Sequence, residues 1–267
     1  MKKNYILAIC LLISSTVLAG PGIKLVTLSQ TASSGQKSES TIYINDSQMV
    51  IETKQNGNYT IMYDAAKEEV VIVDHGRREF SKMGQKELVE LGNQINSMKG
   101  LIKAFYKNMP PETQKKFAPL VNGKDPNISF TPKGSATVKN WKTTEYQVAD
   151  GQNNKLFDMN IADFSAVGVK KEDVAAVRKL SIMLDKYLSG VESFVPGANI
   201  FSNLNSEKNP MFIKGIPVKT VAYEENGAIG DQFWVTNAEK SDFSLADFKI
   251  PSEYKPTVIK FDNPMQN

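Results

Sequence analysis

Hydrophobic positions repeat along this chain with two periods, and the switches between them mark out the elements. From Gly22 to Met83 the period is two, as in a meander of short strands. Thr41-Ile42-Tyr43-Ile44-Asn45 alternates, Asp46-Ser47 turns, and Met49 to Thr53 runs back; Asn56-Gly57-Asn58 is a hairpin signal before Tyr59 to Tyr63. Glu68 to Val73 is apolar on both faces, which predicts a strand covered on both sides. A turn at His75-Gly76-Arg77 leads into a return strand from Arg78 to Lys82.

The spacing then lengthens. Leu88, Leu91, Ile95, Met98, Ile102, Phe105 and Met109 recur at steps of three and four, which predicts one stripe of a helix ended by Pro110-Pro111. A short helical piece is expected from Lys115 to Leu120. Strands are expected again at 128–131, 136–138, 144–148 and 156–161, followed by a second amphipathic helix from near Lys171, over by Pro196, with Val177, Leu180, Leu184, Tyr187, Leu188 and Val191 on one side. Residues 197–210, rich in Asn and Ser, suit an exposed loop, after which Val218 to Tyr223, Gln232 to Thr236 and a segment around Phe248 to Pro251 read as strands. Strands, helix, strands, helix, strands with tight turns describe an α+β fold, an antiparallel sheet with helices gathered on one face. No linker splits residues 20–267, so a single domain is expected.

The amino terminus has a pattern of its own. Lys2-Lys3, an apolar run from Tyr5 to Leu12 and a small-residue exit at Val17-Leu18-Ala19 form a cleavable signal peptide over residues 1–19. The run is too short and too rich in Ser14, Ser15 and Thr16 for a spanning helix, which needs about 20 apolar residues. The address is therefore the periplasm, or the medium beyond it. The one cysteine, Cys10, lies inside the apolar run, so cleavage leaves a chain with no thiol for a disulfide, a metal or a nucleophile. With 32 Lys plus Arg against 29 Asp plus Glu, the chain lacks the basic excess of a nucleic-acid binder.

Candidate chemistry is sparse. His75 is the only histidine and sits in a turn where a polar residue is expected anyway, and no Gly-x-Ser-x-Gly elbow accompanies it. Ser-x-x-Lys occurs at Ser34 and at Ser252, at the frequency chance allows. Asp150 to Asn154 lacks the closing glutamate of a calcium loop, so neither metal nor cofactor is expected. Lys99, Lys103 and Lys107 form a solvated stripe on the first helix. The methionines, with Met98 and Met109 on the first stripe and Met183 beside the second, suit either a packed core or a cavity for flexible chains.

The meander, the segment Tyr63-Asp64 through Val73-Asp74 to Phe80, and the closing Gly215-Ile216-Pro217-Val218 with Phe248-Lys249-Ile250-Pro251-Ser252-Glu253-Tyr254 resemble an exported bacterial family known as a domain of unknown function, similar to the LolA and LolB lipoprotein carriers. Asn140 and Thr143 stand where that pattern favours glycine and often cysteine. The resemblance implies a curved half-barrel lidded by helices, with a space between the layers for lipid or another apolar ligand, and the residues themselves offer no catalytic set. Leu91, Ile95, Met98, Ile102, Phe105, Leu180, Leu184 and Trp234 would line it. The alternative expectation is an envelope assembly or protein-interaction module whose core is filled. They make different demands: an apolar void of at least about 300 Å³ under the helices for the carrier, and an exposed apolar patch larger than a few hundred Å² for the interaction module.

Overall fold

A computed structural model describes residues 20–54, 58–114, 128–188, 209–224 and 226–258. The predicted signal peptide, the helical piece at 115–120, the hairpin residues Asn56-Gly57 and nearly all of the Asn- and Ser-rich stretch lie outside them.

The strands are β1 (Gly22–Gln30), β2 (Lys37–Asn45), β3 (Gln48–Thr53), β4 (Tyr59–Asp64), β5 (Glu69–Asp74), β6 (Glu79–Met83), β7 (Ser129–Val138), β8 (Trp141–Ala149), β9 (Lys155–Asp163), β10 (Gly215–Tyr223), β11 (Ile229–Lys240) and the two-residue β12 (Lys255–Pro256). The helices are α1 (Gln85–Phe105), α2 (Ala175–Leu188) and the single turn α3 (Pro210–Ile213). All the strands join one curved, unclosed sheet in the order β12-β6-β5-β4-β3-β2-β1-β11-β10-β9-β8-β7. Two meanders, β1 to β6 and β7 to β11, meet where β1 pairs antiparallel with β11. Only β12, beside β6, runs parallel to its neighbour. Because β6 and β7 lie at opposite ends of the sheet, the connection that contains α1 carries the chain from one edge back to the other. The expected α+β half-barrel is the observed architecture.

Alternation decides what each strand gives to each layer. On one face Ile23, Leu25, Ile44, Met49, Tyr63 and Val70 pack with Leu88 of α1 and with Ala176, Met183 and Tyr187 of α2. On the other face of the first meander Val50, Met62, Val71 and Val73 pack with Phe243 and the partly buried Leu245, Phe248, Ile250 and Tyr254 from the end of the chain. Strand β5 is therefore covered on both sides, as its doubly apolar run predicts. A smaller cluster of Val148, Met159 and Ile161 is joined by Met211 of α3.

Two elements differ from the sequence reading. The strands expected at 128–131 and 136–138 are one strand, because a bulge between Pro132 and Gly134 absorbs the irregular middle without breaking the pairing with β8. The segment around Phe248 is not a strand. Ser244 accepts from the Ala246 N–H and starts a short 3-10 turn at Leu245–Asp247, and the apolar residues after it lie flat on the outer face of the first meander.

Candidate functional site

The space expected to hold a ligand lies where α1 and α2 meet the sheet. Helix α2 rests over β2, β3 and β4, and α1 rests on α2 and β6. The helices approach so closely that a Cβ on Gly92 would stand 2.4 Å from the carbonyl oxygen of Tyr187. Tyr187 in turn donates from its hydroxyl to Glu68 at 2.6 Å, and Lys186 reaches the same carboxylate at 3.1 Å. These two bonds tie α2 to the β4–β5 turn, and the bond from Tyr187 followed by that from Lys186 holds the Glu68 carboxyl below the ordinary glutamate range. Beneath them Tyr63 is 1% exposed. Burial first, then the nearby Glu68 and Asp64 carboxylates, push its phenol up to about 12.

The predicted lining residues fall into three groups. Ile95 and Ile102 are buried, Leu91 and Met98 half-buried. Leu180 and Leu184 pack on the main cluster, in contact with other side chains. Phe105 is 54% exposed. A strict alternation of three- and four-residue steps drifts about 20° per heptad around a straight helix, which sets Phe105 at the margin of the stripe while Ile102 stays buried. Trp234 is also displaced. Its strand neighbours Phe233 and Val235 join the main cluster while Trp234, between them, belongs to none of the three.

Two hollows lie elsewhere and are lined largely by polar groups. One of about 380 Å³ is bounded by Asn140 and Trp141, the turn Ser165 to Gly168 and the end of β11 from Thr236 to Lys240. Another of about 520 Å³ is lined by Ser135, Ala136, Thr137, Lys142, Thr143, Thr144, Ile161 and Asp163 at the β7 end of the sheet. Neither touches α1 or α2.

His75 is half-buried rather than a free turn residue. Its Nε2 is 2.9 Å from the Thr60 hydroxyl and its Nδ1 3.1 Å from the Tyr254 hydroxyl. Both ring nitrogens are thus occupied by hydroxyl groups, neither belonging to a serine, and the carboxylate that would orient a general base is missing from both bonds. The contact binds the end of the chain to the β5–β6 turn, with the Tyr254 ring set edge-on at 5.6 Å.

No family model matches the chain, and no curated protein does. Among solved structures, an uncharacterized conserved protein from Thermus thermophilus superposes with a TM-score of 0.47 at 7% identity, over 90% of this chain and 91% of that one. The Pseudomonas aeruginosa MucA/MucB complex gives 0.41 at 9% identity, over 91% of this chain and 59% of that one. A LolA superfamily protein from Nitrosomonas europaea gives 0.33 at 4% identity, over 86% and 90%. Among the described residues no helix is long and apolar enough to cross a membrane.

Within this curved sheet, the sequence reading missed the closing latch. The Lys255 N–H donates to the Arg78 carbonyl at 3.0 Å, the Thr257 N–H to that of Phe80 at 2.7 Å, and the Ser81 hydroxyl to that of Thr257 at 3.0 Å. Two residues of parallel strand are too short for any periodic signal. The one available hint was the run of apolar residues at 243, 245, 248 and 250 with no second strand to pair it.

Proposed function

We propose that this chain is an exported, non-catalytic interaction module of the bacterial envelope, built on a half-barrel whose layer between helices and sheet is filled. Membership of the exported family described above is part of that reading. The observation that supports it is the close packing where α2 and the first turns of α1 meet the sheet: Leu88, Ala176 and Met183 are at most 2% exposed against Ile23, Leu25 and Tyr63. Lipid carriage needs a void of about 300 Å³ at that place; the two hollows described above are largely polar and lie away from both helices. The engagement of both His75 nitrogens by Thr60 and Tyr254 supports the absence of catalysis.

Native mass spectrometry of protein purified from the envelope, followed by organic extraction and titration with a fluorescent fatty acid, tests the reading. The expected species starts at Gly20, carries no lipid and takes up no probe. A co-purified phospholipid or saturable uptake would replace the interaction module by a carrier, and an intact mass that retains residues 1–19 would remove the cleaved export signal.

A further inference from the structure

We infer that the second half of α1, with the turn that follows it, is a docking surface for anionic phospholipid, on which the folded chain lies flat. The inference rests on the interaction reading above and names the partner. Helix α1 meets the main cluster and α2 through Leu88 and Gly92, both in its first half. Further along, Ile102 is buried but Leu101 is 50% and Phe105 54% exposed, two large apolar side chains one turn apart on the surface.

Helical geometry gives this half two flanks. Leu101 and Phe105, four residues apart, lie within about 40° of each other around the axis, and Lys99 and Lys103 do the same on the other flank. Lys107 follows the lysines in the 3-10 turn Tyr106–Asn108. Between the flanks stand Gly100 and Ala104, exposed and too small to hold a flat surface away. An apolar flank beside a basic one is the make-up of a helix that rests in the plane of a lipid surface. Phe and Leu enter the acyl boundary, and lysine stems carry their ammonium groups to the phosphates.

Charge selects the occupant. From Leu91 to Pro111 the sequence holds Lys99, Lys103 and Lys107 and no carboxylate; extended to Leu120 it adds Lys115 and Lys116 against the single Glu112. Ion pairs among the described residues engage Lys24, Lys67, Arg77, Lys155 and Lys186, and none of the three helix lysines. A second copy docked on this face would set unpaired lysines against each other, which repel. Neither hollow touches α1, so the surface is convex and offers no groove to select one peptide. A fluid layer of phosphate headgroups needs no groove.

The test uses residues 20–267, which lack cysteine, so a polarity-sensitive dye can be placed on one thiol at a time: Ala104→Cys on the surface and Ser135→Cys on β7 as control. Vesicles of equal parts phosphatidylcholine and phosphatidylglycerol should bind the protein and blue-shift the dye at 104 but not at 135. Phosphatidylcholine alone should bind about tenfold more weakly or worse, and added salt should weaken binding to the mixture. A lysine near an anionic surface is worth about fivefold, so Lys103→Gln with Lys107→Gln should lower affinity about twentyfold. Leu101→Ser with Phe105→Ser should lower it about tenfold. The dye and lipid comparisons leave these four side chains intact, so they decide even where a double variant folds less well. No binding, equal binding to both lipids, equal shifts of both dyes, full binding by both double variants, capture of polyglutamate as tight as that of the vesicles, or self-association through α1 overturns the surface. Should it fail while the envelope protein proves free of lipid, the interaction reading stands and its surface lies elsewhere. Lipid that copurifies equally with wild type and with the lysine variant lies inside the fold and removes that reading first.

Discussion

Tyr63 shows how one buried side chain links the core to solution conditions. Its phenol ionises near 10.0 when unperturbed and near 12 in the fold. Below pH 10 the folded and unfolded chains both keep this proton, so the full contribution to stability is present. Between 10 and 12 the unfolded chain has released it and the folded chain has not. The unfolded state then binds fewer protons, and stability falls as pH rises. The other tyrosines titrate in the same range, so the effect has to be read by difference. Urea unfolding midpoints of wild type and Tyr63→Phe across this window should converge, because the variant lacks the group that favours the unfolded chain at high pH. Parallel curves would mean that Tyr63 ionises as freely in the fold as outside it.

At the scale of elements, legibility followed period. Strands β2 to β6 were readable because each runs for five residues or more between recognisable turns, alternating in β2 and β4 and doubly apolar in β5. Helix α1 was readable as a helix, yet its stripe misplaced Phe105 because spacing in sequence says nothing of the drift that accumulates over several turns. The cavity lining was less legible still: an apolar stripe looks the same whether it faces a void or interlocks with a neighbour, and the close approach of Gly92 to Tyr187 is a contact between distant positions that spacing does not reveal. The closing segment had no period to read, although it covers the outer face of β2 to β6. Phe243 is its anchor, 3% exposed, with ring centroids 5.7 Å from Tyr43 and 6.2 Å from Phe248. Removing a buried aromatic costs about 3 kcal/mol or more. Phe243→Ala should therefore lower the unfolding free energy in urea by that amount with little change in slope, and a loss below about 1 kcal/mol would show that the segment merely rests on the sheet.

For the molecule as a whole, the question is whether two meanders behave as one unit. They share a single sheet, but the connection from β6 to β7 runs between its far edges, and the direct union is the β1–β11 pairing. That seam is extensive. It runs from Ile23 beside Lys240 to Gln30 beside Gln232, interrupted by one bulge, and it includes the fully buried Ile23 and Val235. The main cluster also crosses it, with Leu25 and Ile44 of the first meander and Val218 and Ala162 of the second in one packed group. Neither half can open along this line without exposing that group to water, so the two should unfold together. The chain carries its own probes for the comparison. Both tryptophans, Trp141 on β8 and Trp234 on β11, lie in the second meander, so fluorescence follows that half while far-ultraviolet circular dichroism follows both. Coincident transitions in urea are expected from the two signals. A fluorescence change that is complete before the dichroism has moved would divide the sheet at β1 and β11 and make each meander a unit of its own.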